Sequence, residues 1–315
     1  ARADGVILAH GAPMAHLSPE WLPYAKALQP IVMRELPLAG LWSSNYLPVN
    51  ALIQVLLGPF ASPLLAAASV LLVAAIARRL MPEHPTAPAV CALLFAGSSQ
   101  LLVTAMTPYA MTAHLAFNLA WLWLFLRRTP AANVAAVAIG FLATGLHQPV
   151  FFPFFALPFL VERFVSGQRG WPVVHALAIV AGVLVWSNYD HIAAGIMGAT
   201  PAPGTARGTG LLLGKMLAAM LRFDLADIGL MALNLLRFVL WQNPIAVILF
   251  LVAVTNGKRL SGPLQAALAG IVLMPLFMAF VEPFQGHGWG YRYLHGELGS
   301  VALLATYGWF SIADG

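Results

Sequence analysis

The residues best equipped for chemistry gather late in the chain, in 286-GHGWGYRYLHGELG-299, directly before the apolar run 300-SVALLATYGWF-310. Only 9% of the 315 residues are charged, so the polar density of this one stretch demands a reason. Arg292 stands between Tyr291 and Tyr293. Its guanidinium offers a fixed fork of donors that matches phosphate oxygens and stays charged. The plain alternative is an arginine at a helix end reaching out to lipid headgroups. His287, Trp289 and His295 beside it bring the two readings level.

A carboxylate able to take a proton from a hydroxyl would complete such a site. Those outside the apolar runs are Asp4, Glu20, Glu35, Asp190, Asp224, Asp227, Glu282 and, near a boundary, Glu297. Several also have structural readings. Glu20 suits the first turn of a helix, where the dipole favours negative charge, and Asp4-Gly5 reads as a turn. Asp190-His191 fits a cap, although such a pair can also do acid–base work, and Glu282-Pro283 fits a helix end. His114, His147, His175 and His191 show no i, i+4 pairing of a metal-binding helix. His114 and His175 are expected to be buried and hydrogen-bonded, while haem ligation by facing histidines stays open. No glycine-rich nucleotide loop is present, because Gly286, Gly288 and Gly290 do not join a strand to a helix. The single Cys91 excludes an internal disulfide and a cysteine-based metal site. The net charge of +5 comes from scattered basic residues rather than a block, so nucleic-acid binding has no support.

The elements that must position these groups follow from the apolar residues. The chain is 60% hydrophobic with a mean hydropathy of +0.82, more than a soluble domain could cover. Runs such as 64-LLAAASVLLVAAIA-77 do not alternate in polarity, which argues against a membrane β-barrel. The expected fold class is therefore all-α: a polytopic transmembrane helical bundle with juxtamembrane helices. About nine spans are expected, near 62–79, 87–106, 109–126, 132–147, 149–165, 172–189, 242–257, 262–282 and 294–312. Arg78 and Arg79, Arg127 and Arg128, Arg163 and Arg169, and Lys258 and Arg259 follow alternate spans, so all eight share one side. The positive-inside rule makes that side cytoplasmic. Residues 1–47, the junctions at 107–109 and 146–149, the segment 190–241 and the patch at 282–293 then face the exoplasm.

The chain reads as one transmembrane domain, 1–315, in four parts: 1–61, 62–189, 190–241 and 242–315. Ser18, Pro19 and Glu20 open an expected interfacial helix over 18–36. The stretch 200-TPAPGTARGTG-210 reads as a mobile loop. Residues 211–241 read as a surface-lying or re-entrant helix because Lys215, Arg222 and Arg237 interrupt it. A further helix or cleaved signal is expected ahead of Ala1.

Four segments together resemble the GT-C superfamily of integral-membrane glycosyltransferases. The stretch 43-SSNYLPVNALIQVLLG-58 resembles its "Y-x-P" lead into an apolar helix, and 109-YAMTAHLAFNLAWLWLFLRR-128 its span ending in cytoplasmic arginine. The turn in 139-IGFLATGLHQPVFFPFFALPFL-160 is similar to its "G-x-x-x-L-T-[KR]-P" motif, and 291-YRYLHGELGSVALLA-305 to its late "R-Y-x-x-P" motif. This chain departs from those patterns at His147-Gln148 and His295-Gly296, and a paired acidic motif is not plain.

The resemblance implies transfer of a sugar from a polyprenyl-phosphate donor to an exoplasmic acceptor, in a bacterial inner (plasma) membrane with the active face periplasmic. It implies Arg292, Tyr293 and His287 at the donor phosphate and Glu20 or Asp4 as the base. Tyr46, Tyr109, His147, Gln148, Asp190 and His295 would line the substrate pocket. Membrane lipid and the lipid-linked sugar are the expected partners. No cofactor and no protein-held metal are expected, with a divalent ion left open. The alternative is a non-catalytic subunit of a larger complex, with protein partners. A transporter would instead show charged residues deep in its spans or paired broken helices.

Overall fold

The computed structural model describes residues 8–10, 33–36, 41–44, 46–196, 209–256, 260–283, 285 and 288–313. Near the N-terminus three short strands, β1 (Leu8–His10), β2 (Met33–Leu36) and β3 (Leu41–Ser44), pair antiparallel in the order β1-β3-β2. Met33–Leu36 was expected to end the interfacial helix, and it is a strand instead. Pro30 before it and Pro37 after it disfavour a continuous helix, whereas the register Met33 to Ser44 and Leu36 to Leu41 satisfies the backbone by cross-strand pairing. The remainder of that expected helix lies outside the described residues.

From Pro48 onward the described chain is helical. The order is α1 (Pro48–Leu57), α2 (Ala61–Leu80), α3 (Ala87–Ala96), α4 (Ser99–Ala105), α5 (Ala110–Arg127), α6 (Pro130–Ala143) and α7 (Phe151–Val165). It continues with α8 (Gly170–Ser187), α9 (Tyr189–Ile196), α10 (Thr209–Met220), α11 (Leu225–Leu240), α12 (Pro244–Thr255), α13 (Gly262–Val281) and α14 (Leu298–Ala313). Start signals in the sequence explain several boundaries. The side chains of Ser98, Thr129 and Asn243 accept the backbone N–H of Leu101, Ala132 and Ile245, and Pro130 and Pro244 occupy the first turns that follow.

Helices occupy all nine places read from the sequence, but the expected count of nine spans is not reached. Pro48–Leu80, Gly170–Ser187 and Gly262–Val281 are long and apolar enough to cross a bilayer. The number rises to five if each bent pair, α3 with α4 (67°) and α11 with α12 (118°), forms one span. Among the others, α5 matches the 18 residues of Gly170–Ser187 but carries His114, Asn118 and Arg127, and most of the rest are short. Helices α6, α7, α12 and α14 have 14, 15, 12 and 16 residues. At about 1.5 Å per residue they reach only about 18–24 Å, against a hydrocarbon core of about 30 Å.

The outside of the bundle is apolar as a membrane protein requires. Leu71, Leu93, Leu177 and Ile248 each expose more than 60% of their surface, and a rim of such side chains is what lipid covers. Inside, Trp121 is fully buried against Phe125, Phe152, Phe155 and Phe159. Its indole N–H donates to His175 Nδ1 at 3.3 Å, and His175 Nε2 pairs with Asn133 Oδ1 at 3.2 Å. His175 is thus the buried, hydrogen-bonded histidine expected. Helix α14 lies backbone-to-backbone on α12, since a Cβ at Gly308 would strike the Leu249 carbonyl. Small residues permit such approach where lipid gives helices no hydrophobic drive to associate.

The arginines collect at one end. Arg78, Arg79 and Arg127 line one groove with Trp123. Nearby, Arg163 donates to the Phe125 carbonyl at 2.7 Å and lays its guanidinium over the Phe125 ring at 3.6 Å. Four of the eight basic residues of the alternation argument thus lie together. Lys258 and Arg259 lie outside the described residues.

Candidate functional site

At the end of the bundle away from the arginines, the chain between α13 and α14 turns back inward. Residues Arg292–Glu297 form a 3-10 helix that descends among α5, α7 and α13 before α14 begins. Its depth is fixed by two contacts. Asn118, halfway along α5, donates to the Gly296 carbonyl at 3.2 Å. The Glu297 carboxyl packs against Gly270, near the middle of α13, where an added Cβ would come within 3.2 Å of Oε1. The last helix therefore starts at half depth.

Amide side chains hold this re-entrant segment. Ser98 Oγ donates to Gln242 Oε1 at 2.8 Å, Gln242 Nε2 to Gln100 Oε1 at 2.9 Å, and Gln100 Nε2 to the Tyr291 carbonyl at 3.0 Å. Gln285 donates to the Gly290 carbonyl at 3.2 Å and accepts the Arg292 backbone N–H. From α11, Asn234 donates to the Pro283 carbonyl at 2.6 Å and Arg237 to the Gly288 carbonyl at 2.9 Å. Arg237 thus serves the loop as a hydrogen-bond donor. Gly290 adopts φ +65° with Gln100 where a side chain would stand, so the turn requires glycine.

The segment walls a cavity of about 230 Å³. Glu282 and Arg292 stand toward its outer side with Tyr46, His147 and Gln148. One wall is aromatic: Tyr46 and His147 lie 4.5 Å apart by ring centroids, His147 and Phe151 6.0 Å, and Phe151 and Tyr293 5.4 Å. The deep end is formed by His114 and Asn118 of α5 with His295 and Glu297. These four are at most 6% exposed. Both His114 ring nitrogens, Asn118 Oδ1, His295 Nδ1 and Glu297 Oε1 have no hydrogen-bond partner. Buried polar atoms are nearly always paired, so such a cluster calls for a ligand or ordered water.

Arg292 is half-buried and makes no ion pair among the described residues. It holds the Gln285 carbonyl only at 3.4 Å through Nη2, and its Nε is unpartnered. Tyr293 and Glu282 share the lining of the same cavity. Among the described residues no three His, Cys, Asp or Glu side chains gather as a metal site.

Of the residues picked from sequence, Tyr46, His147, Gln148, Arg292, Tyr293 and His295 meet in this one cavity. Tyr109 stands apart from the lining, with its ring 6.3 Å from that of Trp289. Asp190 falls in α9, with its side chain outside the described residues, as are Asp4, Glu20 and His287. His114 departs from its expected hydrogen-bonded state. Glu297, read as a boundary residue, lies at half depth because the 3-10 turn carries it inward. Glu282 does end α13, its N–H bonding the Met278 carbonyl, and it also lines the cavity. Asn118 escaped notice altogether. Its signal was the i, i+3, i+7 spacing of Met111, His114 and Asn118, which shares one helical face.

Comparison with family models, curated proteins and solved structures finds no match.

Proposed function

We propose that the chain is a membrane glycosyltransferase that takes a sugar from a polyprenyl-phosphate donor at the cavity, with the cavity end exoplasmic. One observation carries this reading. An arginine with no ion pair among the described residues and a carboxylate line a polar, partly aromatic cavity that reaches to half the depth of an apolar bundle. A lipid phosphate lies where the outer ends of spans meet headgroups, and Arg292 has the chemistry to hold it.

In the reaction the acceptor hydroxyl oxygen bonds to the anomeric carbon as the carbon–oxygen bond to phosphate breaks. The polyprenyl phosphate leaves with the bonding electrons, and Arg292 neutralises its growing charge. The acceptor proton passes to a carboxylate. Among the described residues Glu282 is best situated for that, since it shares the cavity lining with Arg292 at the end of α13. Asp4 and Glu20 remain proposals from the resemblance alone.

Arg292→Ala is expected to lower transfer about 100-fold, the usual scale for a charged stabiliser, while the purified protein stays monodisperse. Wild-type transfer by that variant would remove the role. Glu282→Gln is expected to cost about 100-fold in kcat with little change in KM. Full activity would return the base to the N-terminal segment.

A specific observation favours a second reading, transport. Glu297 at half depth and two bent helix pairs are features that broken-helix carriers share. Proteoliposomes separate the two: a glycosyltransferase consumes lipid-linked sugar without net solute uptake, and a carrier does the reverse.

A further inference from the structure

We infer that the arginine end of the bundle carries a site for an anionic phospholipid, its phosphate held by Arg78, Arg79 and Arg127 and an acyl chain lying along α2. The site stands at the opposite end from the cavity and is independent of the sugar-donor reading.

Two helices build it. On α2, Leu71, Ala74, Ala75 and Arg78 follow the i, i+3, i+4, i+7 spacing of one face, and Arg79 stands one turn beyond Ala75. On α5, Trp123 and Arg127 are one turn apart, and the Arg127 guanidinium lies 4.2 Å from the centre of the Trp123 ring. Together they line a groove of about 500 Å³, the size of a small-ligand site. Its two ends differ in chemistry. At one end the three arginines are exposed, and none makes an ion pair among the described residues. Glu83, just past α2, and Glu162, beside Arg163, are outside the lining. Glu83 sits 3.7 Å from His84 Nε2, and Glu162 accepts the Ser166 hydroxyl at 3.3 Å. Arg163, spent on the Phe125 carbonyl and ring, adds a further positive charge within range of Arg79. Cations gathered without an anion repel one another, and a phosphate relieves them through the guanidinium fork. Toward the middle of α2 the groove turns apolar: Ala74 and Ala75 leave a trough beside Leu71, which is 72% exposed. A free phosphate would leave that floor bare, whereas a phospholipid covers both ends at once. The orientation proposed above turns this end to the cytoplasmic leaflet, whose surface is negative and whose headgroups enter basic pockets between helices.

The test is equilibrium binding of dioleoyl phosphatidylglycerol and dioleoyl phosphatidylcholine to the full chain in nonionic detergent, with inorganic phosphate as a competitor at constant ionic strength. The wild type should bind phosphatidylglycerol at least about tenfold tighter than phosphatidylcholine, which has the same tails and no net charge, and millimolar phosphate should not displace it. Changing Arg78→Gln and Arg79→Gln together should weaken phosphatidylglycerol about 25-fold, at about fivefold for each basic residue facing an anionic surface. Those side chains are exposed, so the thermal midpoint should stay that of the wild type. Arg169→Gln removes an exposed charge outside the groove and should leave the affinity within about twofold. Ala75→Leu keeps every charge and fills the trough, and it should weaken phosphatidylglycerol at least about fivefold. Equal affinity of the wild type for the two lipids, or a loss in Arg169→Gln matching that of the double variant, would overturn the inference. Displacement by inorganic phosphate, or undiminished binding by Ala75→Leu, would overturn the assignment to a lipid and leave a site for a free anion.

Discussion

Gly290 concentrates the constraint on the re-entrant loop into one backbone position. Its φ of +65° is open to glycine, and Gln100 fills the space a side chain would need. Gly290→Val should therefore expel Gln100 from its contact with the Tyr291 carbonyl. The expected cost is about 2–3 kcal/mol from strain plus a lost buried hydrogen bond. Thermal unfolding in detergent would read this as a lowered Tm, and an unchanged Tm would show that the loop is not held as described. His175 offers a contrast within the core. Its two ring nitrogens are both engaged, so His175→Leu should leave the Trp121 N–H and Asn133 Oδ1 unpaired. A loss of about 2–4 kcal/mol is expected, without a change in ligand affinity, since His175 does not line the cavity. Residue types announced Arg292 and its tyrosines as candidates from the start. They could not separate His114 from His175, because an isolated histidine in an apolar run carries no trace of whether a partner waits across the bundle.

At the scale of elements, the apolar runs predicted where helices lie but not how far each one reaches. Start signals at Ser98, Thr129 and Asn243 are local and were legible. The descent of residues 292–297 was not, since it depends on carbonyls caught by Gln100, Gln285, Asn234 and Arg237 from distant segments. Those side chains gave no periodic signal. The strand at Met33–Leu36 was hidden for a similar reason: its partner, Leu41–Ser44, decides it. The amide relay makes a prediction of its own. Gln242→Leu strands both Gln100 Oε1 and the Ser98 hydroxyl and should loosen the loop without touching the cavity lining. Hydrogen exchange at residues 288–296 should then rise at least tenfold, the scale of one lost buried hydrogen bond of about 1.4 kcal/mol. Exchange unchanged from wild type would dissolve the link between relay and loop.

For the molecule as a whole, the organising feature is polarity along the bundle axis. Arginines Arg78, Arg79, Arg127 and Arg163 mark one end, and the cavity opens away from them. The most direct test is the sidedness of these two ends in intact cells. Single cysteines at His147, Glu282 and Trp289, and separately at His84 and Gln168, would be challenged with a membrane-impermeant maleimide. Cys91 is fully buried and should contribute little background. The first three positions are predicted to label from outside, and the last two only after the membrane is permeabilised. Labelling of His147 and Gln168 from the same side would contradict the account at its root.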